Sequence, residues 1–470
     1  MILTRRNFLK TTATGIALSG VGSSVLGMNQ ARAADLSGYK ALVCVFLFGG
    51  MDQWDTVYPF DSDTYDVLQQ VRSPLLNLYN GARARDQLLP LTLGNQASFG
   101  TRQFALPPQM PGLRSLFNNG QAAIVGNVGP LIQPTTTEQF INGSVPLPPR
   151  LFSHNDQQST WQSSAPEGAQ FGWGGLFTDS AIAANPIVPR EFSTMTTGGN
   201  ELFLTGQIAT PFQISRGGGA SFGILENAER RRGEPGGEEF YQAVLQHLRG
   251  TGLTETNLIH RDMAAAMRGA VDNNAAYNAA RGETERVTTT FNGELGASLK
   301  EVAETIAVRN ELGVSRQVFF VGIGGFDTHS AQATTLPALQ TAIDGGLTAF
   351  YDAMVELGVE NDVTLFTASD FGRTLPINGD GTDHGWAGHH FVVGGAVNGG
   401  SIYGSVPAPE TGTNFVAELG RAVPSVSVEE FAAPLGRWFG LNDSEVAAAL
   451  PNLANFAGRP ALEFMNVSGA

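Results

Sequence analysis

Short apolar runs, each followed by glycine or a polar side chain, constrain the fold of this chain more than any other feature. The first, residues 41–48, is unbroken and ends at Gly49-Gly50. Its length and β-branched content predict a strand that is buried on both faces, as in a parallel sheet. Similar runs recur at residues 122–125, 317–321, 363–366 and 390–393.

Helical patterns lie between these runs, at residues 111–118, 336–357 and 428–439. Strands that alternate with helices predict an α/β fold with a doubly wound, mostly parallel sheet and helices on both faces. The Arg/Gly/Glu-rich stretch 229–239 predicts a mobile loop, and the Ala-rich sequence that follows predicts helices over about residues 236–312. We expect these helices to pack on a single domain spanning residues 34–470, with a separate helical domain as the alternative.

Composition excludes several classes of function. The chain has 43 acidic and 28 basic residues and a formal charge of −15, which disfavours binding to nucleic acid because phosphate affinity is built from Lys and Arg. A single cysteine, Cys44, excludes a disulfide framework, a cysteine-based zinc cluster and an iron–sulfur centre. A Rossmann-type oxidoreductase is disfavoured as well, since no G-x-G-x-x-G motif opens a helix after a strand.

Residues 1–33 have the pattern of a twin-arginine signal peptide. Arg5-Arg6 precedes a mildly apolar stretch at residues 13–28, and small residues then predict cleavage before Ala34. A membrane anchor is the alternative, but this stretch is short and rich in Gly, Ser and Thr. We therefore expect the twin-arginine translocase as a partner during export and a periplasmic or secreted mature protein without stable membrane insertion. This route carries proteins that fold before export, which favours a metal or cofactor site.

Polar side chains follow the predicted strands. Asp52 follows the first strand, Asp327 and His329 follow the strand near residue 320, and Asp370 follows the next one; His384 lies in a Gly-rich loop before the last. Each taken alone is also typical of a turn, a helix N-cap or a solvated loop. Because ligands bind at the carboxyl edge of such sheets, the set together favours a divalent ion such as Zn²⁺ or Mn²⁺.

Six ordered motifs carry a family resemblance. Together with the twin-arginine leader, the segments LVCVFLFGGMDQWDTVYP, LFSHNDQQSTWQS, GFDTHSAQ, TASDFGR, GTDHGWAGHHFVVGGAVNGGSIYG and EEFAAPLGRWFGL resemble the exported domain-of-unknown-function 1501 family. The resemblance covers about residues 38–458. That family in turn is similar to the alkaline phosphatase and sulfatase superfamily, which implies an alkaline-phosphatase-like fold with one or two metal ions.

The resemblance also implies roles for individual residues. One metal ion would be held by Asp327, His329 and His384. The second would keep Asp52, Asp370 and Ser153 but would lack an imidazole, because Phe371 stands where the superfamily has a histidine. The expected catalytic residues are Ser153 as the nucleophile at a helix N-terminus and His154 beside it. The charge of an ester predicts, in addition, that Arg373 holds an ester oxygen by paired hydrogen bonds, with a surface salt bridge as the alternative.

These expectations lead to two hypotheses. The first is an exported metal-dependent hydrolase of phosphate or sulfate esters, acting on a small anionic ester or a polysaccharide-type substrate. A formylglycine sulfatase is excluded, since Cys44 lies in no Cys-X-Pro-X-Arg motif. The second hypothesis is a non-catalytic cell-envelope or extracellular protein that retains the fold and one metal ion.

Overall fold

The computed structural model describes residues 36–185, 189–199, 201–219, 222–413 and 416–467, so the expected signal peptide at residues 1–33 lies outside the described part. The strands are β1 (Lys40–Leu47), β2 (Tyr58–Pro59), β3 (Leu89–Pro90), β4 (Phe104–Leu106), β5 (Ala122–Gly129), β6 (Thr194–Thr196), β7 (Phe212–Ser215), β8 (Gly218–Gly219), β9 (Arg316–Ile323), β10 (Val363–Ser369), β11 (Arg373–Asn378), β12 (Gly381–His384), β13 (Gly388–Val393), β14 (Ile402–Gly404) and β15 (Val426–Ser427). The α-helices are α1 (Ser62–Leu78), α2 (Pro111–Asn118), α3 (Thr137–Asn142), α4 (His154–Ser163), α5 (Trp173–Ala184), α6 (Gly223–Arg230), α7 (Gly237–Gly250), α8 (Leu258–Arg281), α9 (Gly293–Ala307), α10 (Gln332–Glu356), α11 (Val428–Phe439) and α12 (Asp443–Ala449).

A large, mostly parallel sheet organises these elements. Its strand order is β14-β5-β13-β10-β1-β9-β6-β7-β8, and β15 pairs with β5. Strand β1 lies between β10 and β9 and is parallel to both. The antiparallel pairs of this sheet are β10 with β13, β13 with β5, and β7 with β8. The expected doubly wound, mostly parallel α/β sheet is therefore confirmed.

Both faces of the sheet are covered, as the unbroken apolar run predicted. Along β1, Val43 and Val45 pack into one hydrophobic cluster, which contains residues of α2, α9 and α10. Cys44 and Phe46 point the other way, into a second cluster with residues of α4, α5, α11 and α12. A strand with a helical layer on each side has no solvent face and needs no polar residues.

The structure departs from the predicted elements in two places. The stretch 229–239 was expected to be a loop, but α6 ends in it and α7 begins in it. The Gly-rich segment before the last predicted strand forms an antiparallel hairpin of β11 and β12, separate from the large sheet. Short polar strands of this kind carry no apolar alternation by which they could be recognised.

The sheet brings several polar segments to one edge. Strands β9 and β10 run parallel to β1, so their carboxyl ends lie at the same edge. Strand β13 runs antiparallel to β10, which places its first residue, Gly388, at that edge as well. The loop after β9 and the hairpin before β13 are thereby brought together. No helix among the described residues is long and apolar enough to cross a membrane.

Candidate metal centre

Segments that are far apart in the sequence bring four side chains together at this edge. Asp327 and His329 lie on the loop after β9, His384 ends β12, and His154 opens α4, which contacts β10. One potential ligand atom from each of His154, Asp327 and His384 lies within 4.8 Å of the other two.

The imidazole nitrogens converge on the carboxylate of Asp327. Its Oδ1 lies 3.1 Å from Nε2 of His329 and 3.1 Å from Nε2 of His384. These two nitrogens are 2.9 Å apart. Nε2 of His154 lies 3.6 Å from the other oxygen, Oδ2. Three rings thus present the same nitrogen to one acid.

The other ring nitrogen, Nδ1, of each of these histidines faces an oxygen acceptor. A neutral imidazole that donates from Nδ1 keeps its lone pair on Nε2. Outer partners of this kind fix the tautomer and the ring orientation of metal-binding histidines. The pairs are His154 with Oδ2 of Asp370 (2.6 Å), His384 with the carbonyl of Phe152 (2.8 Å) and His329 with Oδ1 of Asp383 (3.3 Å).

The spacing of these atoms fits a divalent metal ion. Two nitrogens that each lie about 2.0–2.1 Å from Zn²⁺ in a tetrahedral arrangement are about 3.3 Å apart. The contacts among Asp327, His329, His384 and His154 range from 2.9 to 3.6 Å. These residues therefore form a group that could hold a metal ion, and a mixed nitrogen and oxygen set suits Zn²⁺ or Mn²⁺.

One side of the group is open to solvent. The side chains of Asp327 and His329 are 44% and 42% exposed, and that of His154 is 31% exposed. Ions that only support a fold are held in closed sites, whereas a catalytic ion keeps a position for water or substrate. The exposure leaves room for such a ligand.

The protonation states of Asp327 and His384 suit metal binding. Burial would raise the pKa of Asp327, but the hydrogen bond and charge of Arg373 outweigh it and hold that pKa below its usual value. Burial lowers the pKa of His384. The hydrogen bond to Asp370 raises the pKa of His154. Near neutral pH, Asp327 is therefore ionised and His384 is neutral, the forms that bind a metal ion.

Arg373 lies behind Asp327 and not on the open side where an ester oxygen was expected. Its buried guanidinium donates to Oδ1 of Asp327 at 2.8 Å and to the carbonyl of Gly49 at 3.2 Å. It also donates to the hydroxyl of Thr382 at 3.2 Å and to the carbonyl of the same residue. Since all of these partners belong to the protein, Arg373 is placed to orient Asp327 and not to reach a substrate.

Asp52, expected as a ligand of a second ion, is buried and paired with an arginine. Its Oδ2 lies 2.8 Å from Nη1 of Arg72 and accepts a hydrogen bond from Gln332 at 2.7 Å. Its Oδ1 accepts the backbone N–H of Trp54 at 3.0 Å. The carboxylate is satisfied within the protein, and the structure does not bring it into the group around Asp327.

Asp370, the other acid expected at the second ion, serves His154. Besides the Nδ1 contact, its Oδ2 accepts a hydrogen bond from Gln158 of α4 at 2.9 Å. Its Oδ1 is buried without a hydrogen-bond partner among the described residues. Asp52 is paired with Arg72, and Asp370 is hydrogen-bonded to Nδ1 of His154. The described residues therefore do not form the site for a second metal ion that the resemblance implied.

Ser153, the expected nucleophile, is the N-cap residue of α4 and makes no capping bond to the first turn. The backbone before it is strained, because Phe152 has φ 74° and Arg150 has φ 50°. Bulky residues in the left-handed region are rare and cluster at functional sites. The turn at Phe152 sets where α4 begins and therefore fixes the position of His154. The carbonyl of Phe152 itself orients His384.

Phe371 packs directly against the histidines. Its ring centroid lies 4.5 Å from that of His384 and 4.9 Å from that of His154. Gly50, with φ +96°, passes so close that a Cβ there would lie 2.5 Å from the Phe371 ring. Where the superfamily pattern has an imidazole, this chain has an apolar wall of the centre.

Sequence reasoning did not assign the polar residues that connect these elements. Gln332, at the start of α10, accepts hydrogen bonds from Thr328 at 3.0 Å and Thr382 at 2.8 Å while it donates to Asp52. Asp383, the neighbour of His384, lies 3.3 Å from Nδ1 of His329, and the sequence predicted no role for it. Gln332, Thr328, Thr382 and Asp383 all lie within the quoted motifs, and that proximity was the only signal available.

Known proteins are only distantly similar to this chain. No match was found among curated protein sequences. Among solved structures, the lipoteichoic acid synthase LtaP from Listeria monocytogenes is 10% identical, with a TM-score of 0.28 over 78% of this chain and 67% of that chain. A Bacteroides thetaiotaomicron protein, reported with a genetic locus for metabolism of multiple glycosaminoglycans, is 10% identical, with a TM-score of 0.33 over 87% and 74%. A mutant of the alkaline phosphatase PafA is 11% identical, with a TM-score of 0.24 over 72% and 64%.

All three TM-scores lie below 0.5, so the likeness is distant and assigns no function to this chain. The profile of one family, described as protein of unknown function DUF1501, matches residues 39–450. This range contains every residue of the candidate metal centre. The six motifs and the profile agree, and the chain belongs to the DUF1501 family.

Proposed function

We propose that this chain is an exported, metal-dependent hydrolase of phosphate or sulfate esters. The observation that supports it is the convergence of the Nε2 atoms of His154, His329 and His384 on Asp327, with each Nδ1 held by an acceptor. The proposed ion is Zn²⁺ or Mn²⁺, bound by these four side chains. The protein would act outside the inner membrane on a small anionic ester or a polysaccharide-type substrate.

A bound divalent ion would supply positive charge that offsets the negative charge developing on the ester oxygens. The chain's own residues prepare the site for it. Arg373 keeps Asp327 ionised and oriented, Asp370 holds the His154 ring, and Phe371 excludes water from one side.

Ser153 is the proposed nucleophile, since its hydroxyl is not used in capping and it adjoins His154. Its oxygen would form a bond to phosphorus or sulfur as the ester bond to the leaving alkoxide breaks, and its proton would pass to that alkoxide. Water would then hydrolyse the serine ester, releasing the inorganic anion and restoring the hydroxyl.

The second candidate function is a non-catalytic envelope or extracellular protein that keeps the fold and one ion. Two observations favour it: Arg373 and Asp52 are fully engaged inside the protein, and Phe371 occupies the position of a ligand. Metal content without turnover would be its signature.

Both candidates are tested on the exported, purified protein. We expect about one divalent ion per chain, and hydrolysis of p-nitrophenyl phosphate or p-nitrophenyl sulfate that a chelator abolishes. His384→Ala should lose most of the metal and the activity, because it removes a ligand. The control His260→Ala, on exposed α8, should retain both.

Full metal content in His384→Ala would contradict the centre itself. Metal that depends on His384, without hydrolysis of either ester, would instead support the non-catalytic function.

A further inference from the structure

Besides the proposed ion, a basic side chain that faces the substrate would favour binding of an anionic ester, and Arg373 does not provide one. Its guanidinium is fully buried and its donors are directed to Asp327, Gly49 and Thr382. A second arginine, Arg421, lies at the rim of the same centre and is only half-buried.

The position of Arg421 is defined by contacts with His384 and with Phe152. Its guanidinium carbon lies 3.8 Å from the ring centroid of Phe152, whose carbonyl orients His384. Its Nε donates to the carbonyl of His384 over 3.4 Å, a long hydrogen bond. Stacking on an aromatic ring holds the plane of an arginine while leaving its outer N–H groups available.

Arg421 directly follows a turn whose two residues have left-handed backbone conformations. Leu419 has φ 64° and Gly420 has φ +69°. On either side of the turn, Val416 and Ala422 form an isolated antiparallel bridge. The arginine therefore projects from a tightly closed loop and not from a free surface segment.

Among the described residues, no close acid neutralises the charge of Arg421. Asp383 is near enough to act on it electrostatically, and its effect opposes the partial burial that lowers the pKa of Arg421. Within the part of the chain that the structure describes, however, Arg421 forms no ion pair within 4.0 Å. Arg150, on the loop before α4, differs in this respect because it lies 3.4 Å from Asp156 and 3.6 Å from Glu167.

We propose that Arg421, stacked on Phe152 beside His384, is the residue that binds the tetrahedral oxyanion group of the substrate. This rests on the proposed ester hydrolysis and adds to it the group that recognises the anion. A guanidinium presents paired N–H donors at the spacing of two oxygens of a phosphate or sulfate group. Arg421 is thereby a determinant of specificity for anionic over neutral esters.

The experiment measures anion binding separately from turnover. Affinities of the metal-loaded protein for inorganic phosphate and for inorganic sulfate are determined by calorimetry, with metal content measured on the same samples. In Arg421→Ala we expect affinity for the preferred anion to fall at least about tenfold, with metal content unchanged. Arg421→Lys, which keeps the charge but not the paired donors, should recover part of the loss.

Arg268→Ala, an exposed arginine of α8, is the matched control for removing one positive charge and should bind the anion as the parent does. Parental affinity in Arg421→Ala would overturn the assignment, and so would a metal-loaded parent that binds neither anion. A parent that hydrolyses no ester can still bind the anion and lose affinity in Arg421→Ala. That result would support the anion site and reject the hydrolase, so the two proposals can fail independently.

Discussion

At the scale of single residues, Asp52 lies in a loop but is as buried as a core residue. It follows a strand and two glycines, and from the sequence its replacement would be expected to affect folding only modestly. In the structure it is 1% exposed and pairs with Arg72, which is fully buried. Removing one partner of such a pair leaves an uncompensated charge in the protein interior.

We therefore expect Asp52→Ala to lower the free energy of unfolding by about 3–5 kcal/mol while metal content stays at the parental level. Urea unfolding and metal analysis of the same preparation measure the two effects. Asp63→Ala, an exposed acid in the first turn of α1, should cost only about 0.3–1 kcal/mol. Equal stability of the two variants, or loss of the metal from Asp52→Ala, would contradict a buried Asp52 that is paired with Arg72 and lies outside the centre.

The candidate centre could be predicted in part at this scale. Asp327, His329 and His384 were expected together, and the structure brings them together. The place of His154 among them could not be predicted, because it depends on how the strained turn at Phe152 sets the start of α4. The role of Arg373 depends in turn on the pairing of β11 with β12, which places Arg373 opposite His384.

At the scale of elements, strand β13 places the imidazole of His390 in the apolar core. His390 is 1% exposed, its Nδ1 has no hydrogen-bond partner among the described residues, and its ring stands edge-on to Trp161 at 4.7 Å. Burial lowers the pKa of His390 to about 3. The unfolded chain, with a histidine pKa near 6.5, therefore binds more protons than the folded one below that pH, and stability falls as the pH drops from about 6.5 towards 3.

Replacing His390 with phenylalanine should remove this dependence. We expect His390→Phe to gain about 2 kcal/mol more stability, relative to the parent, at pH 5 than at pH 8. Urea unfolding at both pH values measures the difference. His247→Phe on exposed α7 should show no such change. A difference between His390→Phe and the parent that is the same at both pH values would contradict a neutral, buried His390.

Elements were predictable wherever burial imposes a pattern. Helices α2 and α11 have the predicted bounds, and β1, β5, β9, β10 and β13 lie where the apolar runs are. The β11–β12 hairpin was not predictable, because its residues form polar contacts and not an apolar pattern. Arg373, for example, donates a hydrogen bond to the hydroxyl of Thr382. Such pairing depends on segments that meet only in the folded chain.

At the scale of the whole molecule, the twin-arginine leader remains a prediction. Replacing Arg5-Arg6 with Lys-Lys should leave unprocessed precursor in the cytoplasm, because the translocase recognises the arginine pair. Cell fractionation with immunoblotting detects precursor and mature forms, and Lys10→Ala, which keeps both arginines, is the control. Undiminished mature protein outside the inner membrane would show that another route exports the chain.

The order of the strands has a consequence for when metal can bind. Phe152 and His384, which touch in the centre, are separated by 232 positions, and β1 pairs only with strands from the far half of the chain. A ribosome must therefore release most of the polypeptide before the first complete set of ligands exists, and long-range pairing of this kind is slow. If the proposed ion binds, it would therefore be acquired only after most of the chain has been made, and the compartment in which folding ends would decide which ion is offered.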